Sequence, residues 1–129
     1  TRGLPISIDK RLDLFCEKLE TLLDLGDEKP ALLHGDLWSG NYFASHDQVP
    51  YIFDPAVYFG LREADLAMTE MFGRLPEEFY SAYHEVFPTQ QGYNERKEIY
   101  NLYHLLNHYN LFGGSYLEQA DQTVRYFLD

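Results

Sequence analysis

His34-Gly35-Asp36-Leu37-Trp38-Ser39-Gly40-Asn41 decides the reading of this chain, together with Asp54 thirteen residues beyond Asn41. Upstream, Ala31-Leu32-Leu33-His34 is short and apolar and enters the motif as a strand. Gly35 permits a tight turn behind the histidine. Downstream, Asn41-Tyr42-Phe43-Ala44 and Pro50-Tyr51-Ile52-Phe53 have strand composition, with turn chemistry in Ser45-His46-Asp47-Gln48 between them. Asp54-Pro55 breaks the second strand. The spacing predicts a small hairpin that returns the chain and brings Asp54 back beside Asp36 and Asn41.

A carboxylate, a carboxamide and a second carboxylate brought together in this way are the parts that phosphoryl transfer asks of side chains. One acid orients the acceptor hydroxyl and takes its proton; hard oxygen ligands hold a divalent cation against phosphate oxygens. Asp36 is the candidate base, and Asn41 and Asp54 are the candidate Mg²⁺ ligands. Taken singly, they read as a turn aspartate, a turn amide and a helix cap. The full order is far more specific: apolar strand, His-Gly-Asp, a five-residue step to Asn, a hairpin, Asp after an apolar triplet, then a helix. Two parts of a complete phosphotransferase are missing, namely a Gly-rich phosphate loop and a Lys on a strand before the motif.

The flanks read as helices. Ile8, Leu12, Phe15, Leu19, Leu22 and Leu23 make one apolar face over residues 7–25, with Ser7 or Asp9 as cap and Gly26 as stop. Tyr58–Leu61 reads as a loop and Glu63–Phe72 as a helix with Ala64, Leu66, Ala67, Met68 and Met71 inward. Leu75-Pro76-Glu77-Glu78 opens a helix that Pro88 stops, with Pro in the first turn and acids at the positive end of the dipole. Asn94–Phe112 is the longest helix, ended by Gly113-Gly114, and Ser115 caps a last one to Leu128. The expected fold is α+β and mainly helical, one small β-hairpin carrying the chemistry.

With 129 residues the chain is one domain or one lobe of a larger one. It is 45% hydrophobic and 16% aromatic, enough to build a core and to argue against disorder. A net charge of −11 sets nucleic acid aside as a partner. No apolar run reaches a membrane span, no signal peptide is visible, and the lone Cys16 fits a reducing cytoplasm. The start Thr1-Arg2-Gly3, without Met, suggests a fragment.

Residues 33–83 resemble the fructosamine kinase (ketosamine-3-kinase) family. The resemblance is carried by His34–Asn41, by Asp54-Pro55-Ala56-Val57-Tyr58-Phe59-Gly60, by Arg62-Glu63-Ala64-Asp65-Leu66-Ala67-Met68 and by Met71-Phe72-Gly73. The Trp38-Ser39-Gly40 insert and the Asp-Pro-Ala separate it from aminoglycoside phosphotransferases and choline kinases. The resemblance implies the C-terminal lobe of a protein-kinase-like fold over residues 1–129, with the N-terminal nucleotide-binding lobe absent. It implies ATP and Mg²⁺, and phosphorylation of a sugar hydroxyl of ketosamines, free or protein-bound, in deglycation repair. Position by position, it implies Asp36 as base, Asn41 and Asp54 as metal ligands, Trp38 facing the substrate, and Asp65 receiving backbone N–H groups of the catalytic loop. His34 reads as structural, its imidazole holding the loop and Asp36. Leu61 stands where the family pattern has His. The isolated lobe is expected to be inactive.

Two other readings stand beside this one: a kinase for an aminoglycoside or choline-like acceptor, and a non-catalytic interaction module. His104 and His108 share a helix face but lack a third ligand, so an aromatic-rich helix face is the expectation there. Tyr80, Tyr83, Phe87, Tyr100, Tyr103, Tyr109 and Phe112 read as core, and Glu17, Glu20, Asp24, Asp27 and Glu28 as a solvated face.

Overall fold

The computed structural model describes residues 3–129. The elements in chain order are α1 (Ile6–Leu22), β1 (Ala31–Leu33), β2 (Tyr42–Ala44), β3 (Pro50–Ile52), β4 (Tyr58–Gly60), α2 (Glu63–Met71), α3 (Glu77–Val86), α4 (Tyr93–Phe112) and α5 (Tyr116–Leu128). The fold is α+β and mainly helical, as the periodicities predict. Contacts gather into two compact units, one from the segments up to Gly26 and from Glu98 onward, the other from Asp27–Lys97. Among the described residues no helix is long and apolar enough to cross a membrane.

In the first unit α1 packs on α5. Phe15 is 2% exposed and meets Phe127 at 6.0 Å between ring centroids. Ile99, Leu102, Leu105, Ala120 and Val124 are buried in the same unit. Arg11 donates from Nε to Asp121 at 2.8 Å, and Arg125 reaches the other oxygen of Asp121 from the same helix, also at 2.8 Å. The cap of α1 differs from expectation. Pro5, at φ −57° and ψ 137°, occupies the N-cap, and its carbonyl accepts from Ile8 and Asp9. Proline pre-sets that backbone angle and has no N–H to orphan, so neither Ser7 nor Asp9 is needed. Ser115 takes the N-cap position of α5 but its hydroxyl makes no N-cap bond.

The second unit holds two ladders where the sequence predicts one hairpin. β2 and β3 form that hairpin, with Phe43 opposite Tyr51 and their rings stacked at 5.2 Å. The turn is closed by Ser45, whose hydroxyl accepts from Val49 N–H at 3.1 Å. The second ladder pairs β1 antiparallel with β4, Leu33 lying opposite Tyr58 and Ala31 opposite Gly60. Tyr58–Gly60 is therefore a strand and not a loop. Its aromatic residues suit a strand, but its partner lies 25 or more residues back in the chain, which local pattern does not report. The hairpin is nested between the two strands of this ladder, so both of its ends are tied to one place.

α2 is the buried centre of this unit, with Leu66, Ala67, Met68 and Thr69 all withdrawn from solvent. Thr69 Oγ1 lies 2.9 Å from the hydroxyl of Tyr80, itself 4% exposed on α3. At the start of α2, Glu63 accepts two 2.8 Å hydrogen bonds from Arg96. Arg62 stacks at 3.8 Å on Phe87 and donates to the carbonyls of Phe87 and Pro88 at 3.0 and 2.7 Å. Its Nε lies 3.2 Å from Glu28, whose side chain is nearly buried. Glu28 thus leaves the solvated acidic face on which the sequence places it. Phe87, Tyr103 and Phe112, expected in the core, are exposed.

Candidate active site

The site is built on the turn between β1 and β2. Gly35 sits at φ +82°, and a Cβ there would collide with the carbonyl oxygen of Ala56, so the position requires glycine. Two orphaned donors of this turn point at one acid. Asp65, on the first turn of α2, accepts from His34 N–H at 2.7 Å and from Gly35 N–H at 2.9 Å, one on each carboxylate oxygen. Bonds to an ionised acceptor are the strong ones, and two of them set the turn against the helix.

His34 ties the turn to the second acid-bearing segment. Its Nε2 lies 2.9 Å from the carbonyl of Phe53, and its Nδ1 accepts from Asp36 N–H at 3.3 Å. This arrangement requires the tautomer with hydrogen on Nε2. The carbonyl of His34 accepts from Ala56 N–H at 2.8 Å, closing the same connection from the backbone. Asp54, between these contacts, has φ +54°, a left-handed conformation that Asp tolerates better than most residues.

Asn41 is buried and reaches back across the loop. Its Nδ2 donates to the Asp36 carbonyl at 2.9 Å and to Asp36 Oδ2 at 3.1 Å. That use of the amino group leaves the amide oxygen, the only part of the side chain able to ligate a cation, outside this pair of bonds. The carbonyl of Asn41 accepts from Phe53 N–H at 3.1 Å, so Asn41 lies across from the residue that precedes Asp54. Asp36, Asn41 and the backbone leading into Asp54 are thereby drawn to one place. Among the described residues no three of His, Cys, Asp and Glu converge as a metal cage. One amide oxygen and one carboxylate, those of Asn41 and Asp54, are hard donors that suit a cation that keeps waters and takes phosphate oxygens from a substrate.

Trp38 stands at the rim, 38% exposed, with its indole edge-on to Phe72 at 6.4 Å. Ser39 donates to the Phe72 carbonyl at 3.3 Å beside it. Phe72 and Glu63 stand in the motifs that carry the resemblance, which implies no role for them, and Arg96 stands outside those motifs. Arg96 lies 33 residues from Glu63, and nothing local marks the pair.

The match extends beyond the motif. The sequence profile of fructosamine kinases covers residues 5–129. This chain belongs to the fructosamine kinase family. It is 55% identical over 113 residues to a "Probable ketoamine kinase" of Vibrio parahaemolyticus, covering 88% of this chain and 39% of that protein. The chloroplastic protein-ribulosamine 3-kinase of Arabidopsis thaliana is 49% identical over 100 residues, 78% of this chain and 30% of that protein. A crystal structure described as a "putative fructosamine-3-kinase" of Thermobifida fusca superposes with a TM-score of 0.85 at 37% identity, over 97% of this chain and 43% of that one. This fructosamine kinase chain thus spans about two-fifths or less of the length of these relatives.

Outside the motif, a second charged cluster gathers at the end of α2. Glu70, one residue before the end of α2, accepts from Tyr93 at 2.8 Å and from Lys97 at 3.0 Å, with Arg74 at 3.6 Å. Burial alone would raise the Glu70 carboxyl; the hydrogen bonds from Lys97 and Tyr93, with the charges of Lys97 and Arg74, outweigh it and hold the group below the ordinary glutamate range. Burial, then the bond to Glu70 and its charge, push the Tyr93 phenol far above its usual value. His108 Nδ1 lies 2.8 Å from the His104 carbonyl, in keeping with an aromatic helix face.

Proposed function

We propose that the protein carrying this chain phosphorylates a sugar hydroxyl of ketosamines, with ATP as phosphoryl donor and Mg²⁺ as cofactor, and that the chain is its C-terminal, catalytic-loop lobe. The observation that carries this is Asn41 holding both the carbonyl and the carboxylate of Asp36. It pre-orients a base at the end of a loop already pinned by Asp65 and His34. Asp36 takes the proton of the acceptor hydroxyl as its oxygen bonds to the γ-phosphorus and the bond to ADP breaks. Asn41 and Asp54 would hold Mg²⁺, which when bound neutralises charge on the phosphate oxygens. Trp38 offers an exposed aromatic face to the acceptor.

The names of the relatives, ketoamine kinase and protein-ribulosamine 3-kinase, favour a ketosamine acceptor over an aminoglycoside or choline. The lobe alone lacks a lysine-bearing nucleotide lobe and is inactive by this reading. The test is Asp36→Asn in the full-length protein, assayed on fructoselysine and ribuloselysine. Loss of about two to four orders of magnitude in kcat is expected, the range for a positioned base. Retention of wild-type turnover would sink the assignment.

A further inference from the structure

Three residues, Trp38-Ser39-Gly40, separate Leu37 from Asn41, and their contacts serve the placing of one ring. Backbone bonds fold the segment tightly: Trp38 N–H donates to Asp36 O at 3.0 Å, and Asn41 N–H to Trp38 O at 2.9 Å. The indole lies back over Gly40. A Cβ on Gly40 would collide with Cζ2 and Cη2 of Trp38 and come within 2.8 Å of Cε2. The indole also meets the Phe72 ring in a T-shaped contact, at an interplanar angle of 82°. The Ser39 hydroxyl donates to the Phe72 carbonyl, a second tie between the loop and the end of α2.

We propose that Gly40 and Phe72 are positioning residues that seat the Trp38 indole, and that this seat sets the affinity for the acceptor without entering the chemistry. The proposal rests on the acceptor-facing role of Trp38 above. Its physical basis is that a ring offers a fixed recognition face only if its rotamer is held, and here the ring is held by the space that Gly40 leaves and by a T-shaped contact with Phe72. The atoms a Cβ would strike are the outer edge of the indole and not backbone, so the substitution displaces the ring and leaves the turn intact.

Trp38 is the only tryptophan of this sequence; in the full-length protein, subtracting the emission of a Trp38→Phe variant isolates this ring. In Gly40→Ala and in Phe72→Leu the emission should shift to the red and acrylamide quenching should rise, with the circular dichroism spectrum unchanged. In a full-length kinase carrying this segment, KM for the ketosamine should rise roughly two- to tenfold, the range one aromatic contact gives, with KM for ATP unchanged and kcat nearly so. Unchanged fluorescence in both variants overturns the seat, whatever the protein phosphorylates. Displaced fluorescence with unchanged ketosamine KM overturns its part in acceptor affinity. If the unsubstituted full-length protein phosphorylates no ketosamine, the function proposed above falls and takes the acceptor half with it, while fluorescence still decides the seat.

Discussion

Glu63 and Arg96 form a bidentate ion pair, two hydrogen bonds of 2.8 Å each, with the Glu63 side chain wholly buried. Glu63 begins α2, two residues before Asp65, and Arg96 also donates to the carbonyls of Gln90 and Gln91. The pair therefore ties the segment before α4 to the helix end that carries the acceptor for the His34–Gly35 turn. The pairing is a matter of specification more than of raw stability, because both charges had to leave water.

Removing one partner should expose that cost. Glu63→Ala leaves a guanidinium withdrawn from solvent and should destabilise by ~3–5 kcal/mol, read from urea unfolding. Replacing both members, as Glu63→Met with Arg96→Met, should recover much of the loss. A single substitution that costs under about 1 kcal/mol would mean that water reaches the arginine and the pair is not the brace described.

Asp65→Asn tests the support of the turn. The carboxamide keeps one acceptor and puts a donor against one of the two N–H groups now bonded at 2.7 and 2.9 Å. A cost of ~1–3 kcal/mol is expected for the orphaned donor. Amide hydrogen exchange should accelerate at His34 and Gly35 more than at Ala56, whose N–H is bonded to the His34 carbonyl instead. Equal acceleration at all three would show general loosening and not a local loss of the acceptor.

The Glu70–Tyr93 bond gives a pH dependence with a definite sign at each end. The Glu70 carboxyl titrates lower in the folded chain than its ordinary value of 4.5, so its contribution is present above that pH and lost on acidification through the lowered value. The Tyr93 phenol titrates above its ordinary 10.0, so its contribution is complete below pH 10 and is lost as the pH rises beyond. Thermal midpoints should therefore fall on both sides of this window. Glu70→Gln should flatten the acid side and shrink the alkaline one, because burial of Tyr93 persists. Asp121 retains some acid dependence in the variant, since the hydrogen bonds and charges of Arg11 and Arg125 outweigh its burial and hold its carboxyl low. An acid limb identical in both proteins would remove Glu70 from the explanation.

Much of the molecule could be read along the chain. Local rules place α2 to α5 within one or two residues, because helix periodicity, Pro76, Pro88 and Gly113 act within a turn of where they stand. The β2–β3 hairpin is legible for the same reason, its partners being separated only by a short turn. The proximity of Asp36 and Asn41 was also legible, since a five-residue step across a tight turn lets the amide reach back to the acid. What sequence alone determined was therefore the local elements and the family-like motifs that the loop between β1 and β2 carries. The tertiary structure decided the rest: that Tyr58–Gly60 pairs with Ala31–Leu33, that Glu28 is drawn in beside Arg62, that Arg96 reaches Glu63, and that Trp38 lies against Gly40 and Phe72. Each joins residues far apart in the chain or depends on which rotamer the surroundings leave open. Such contacts are set by the packing free energy of the whole unit, and no local pattern carries that information.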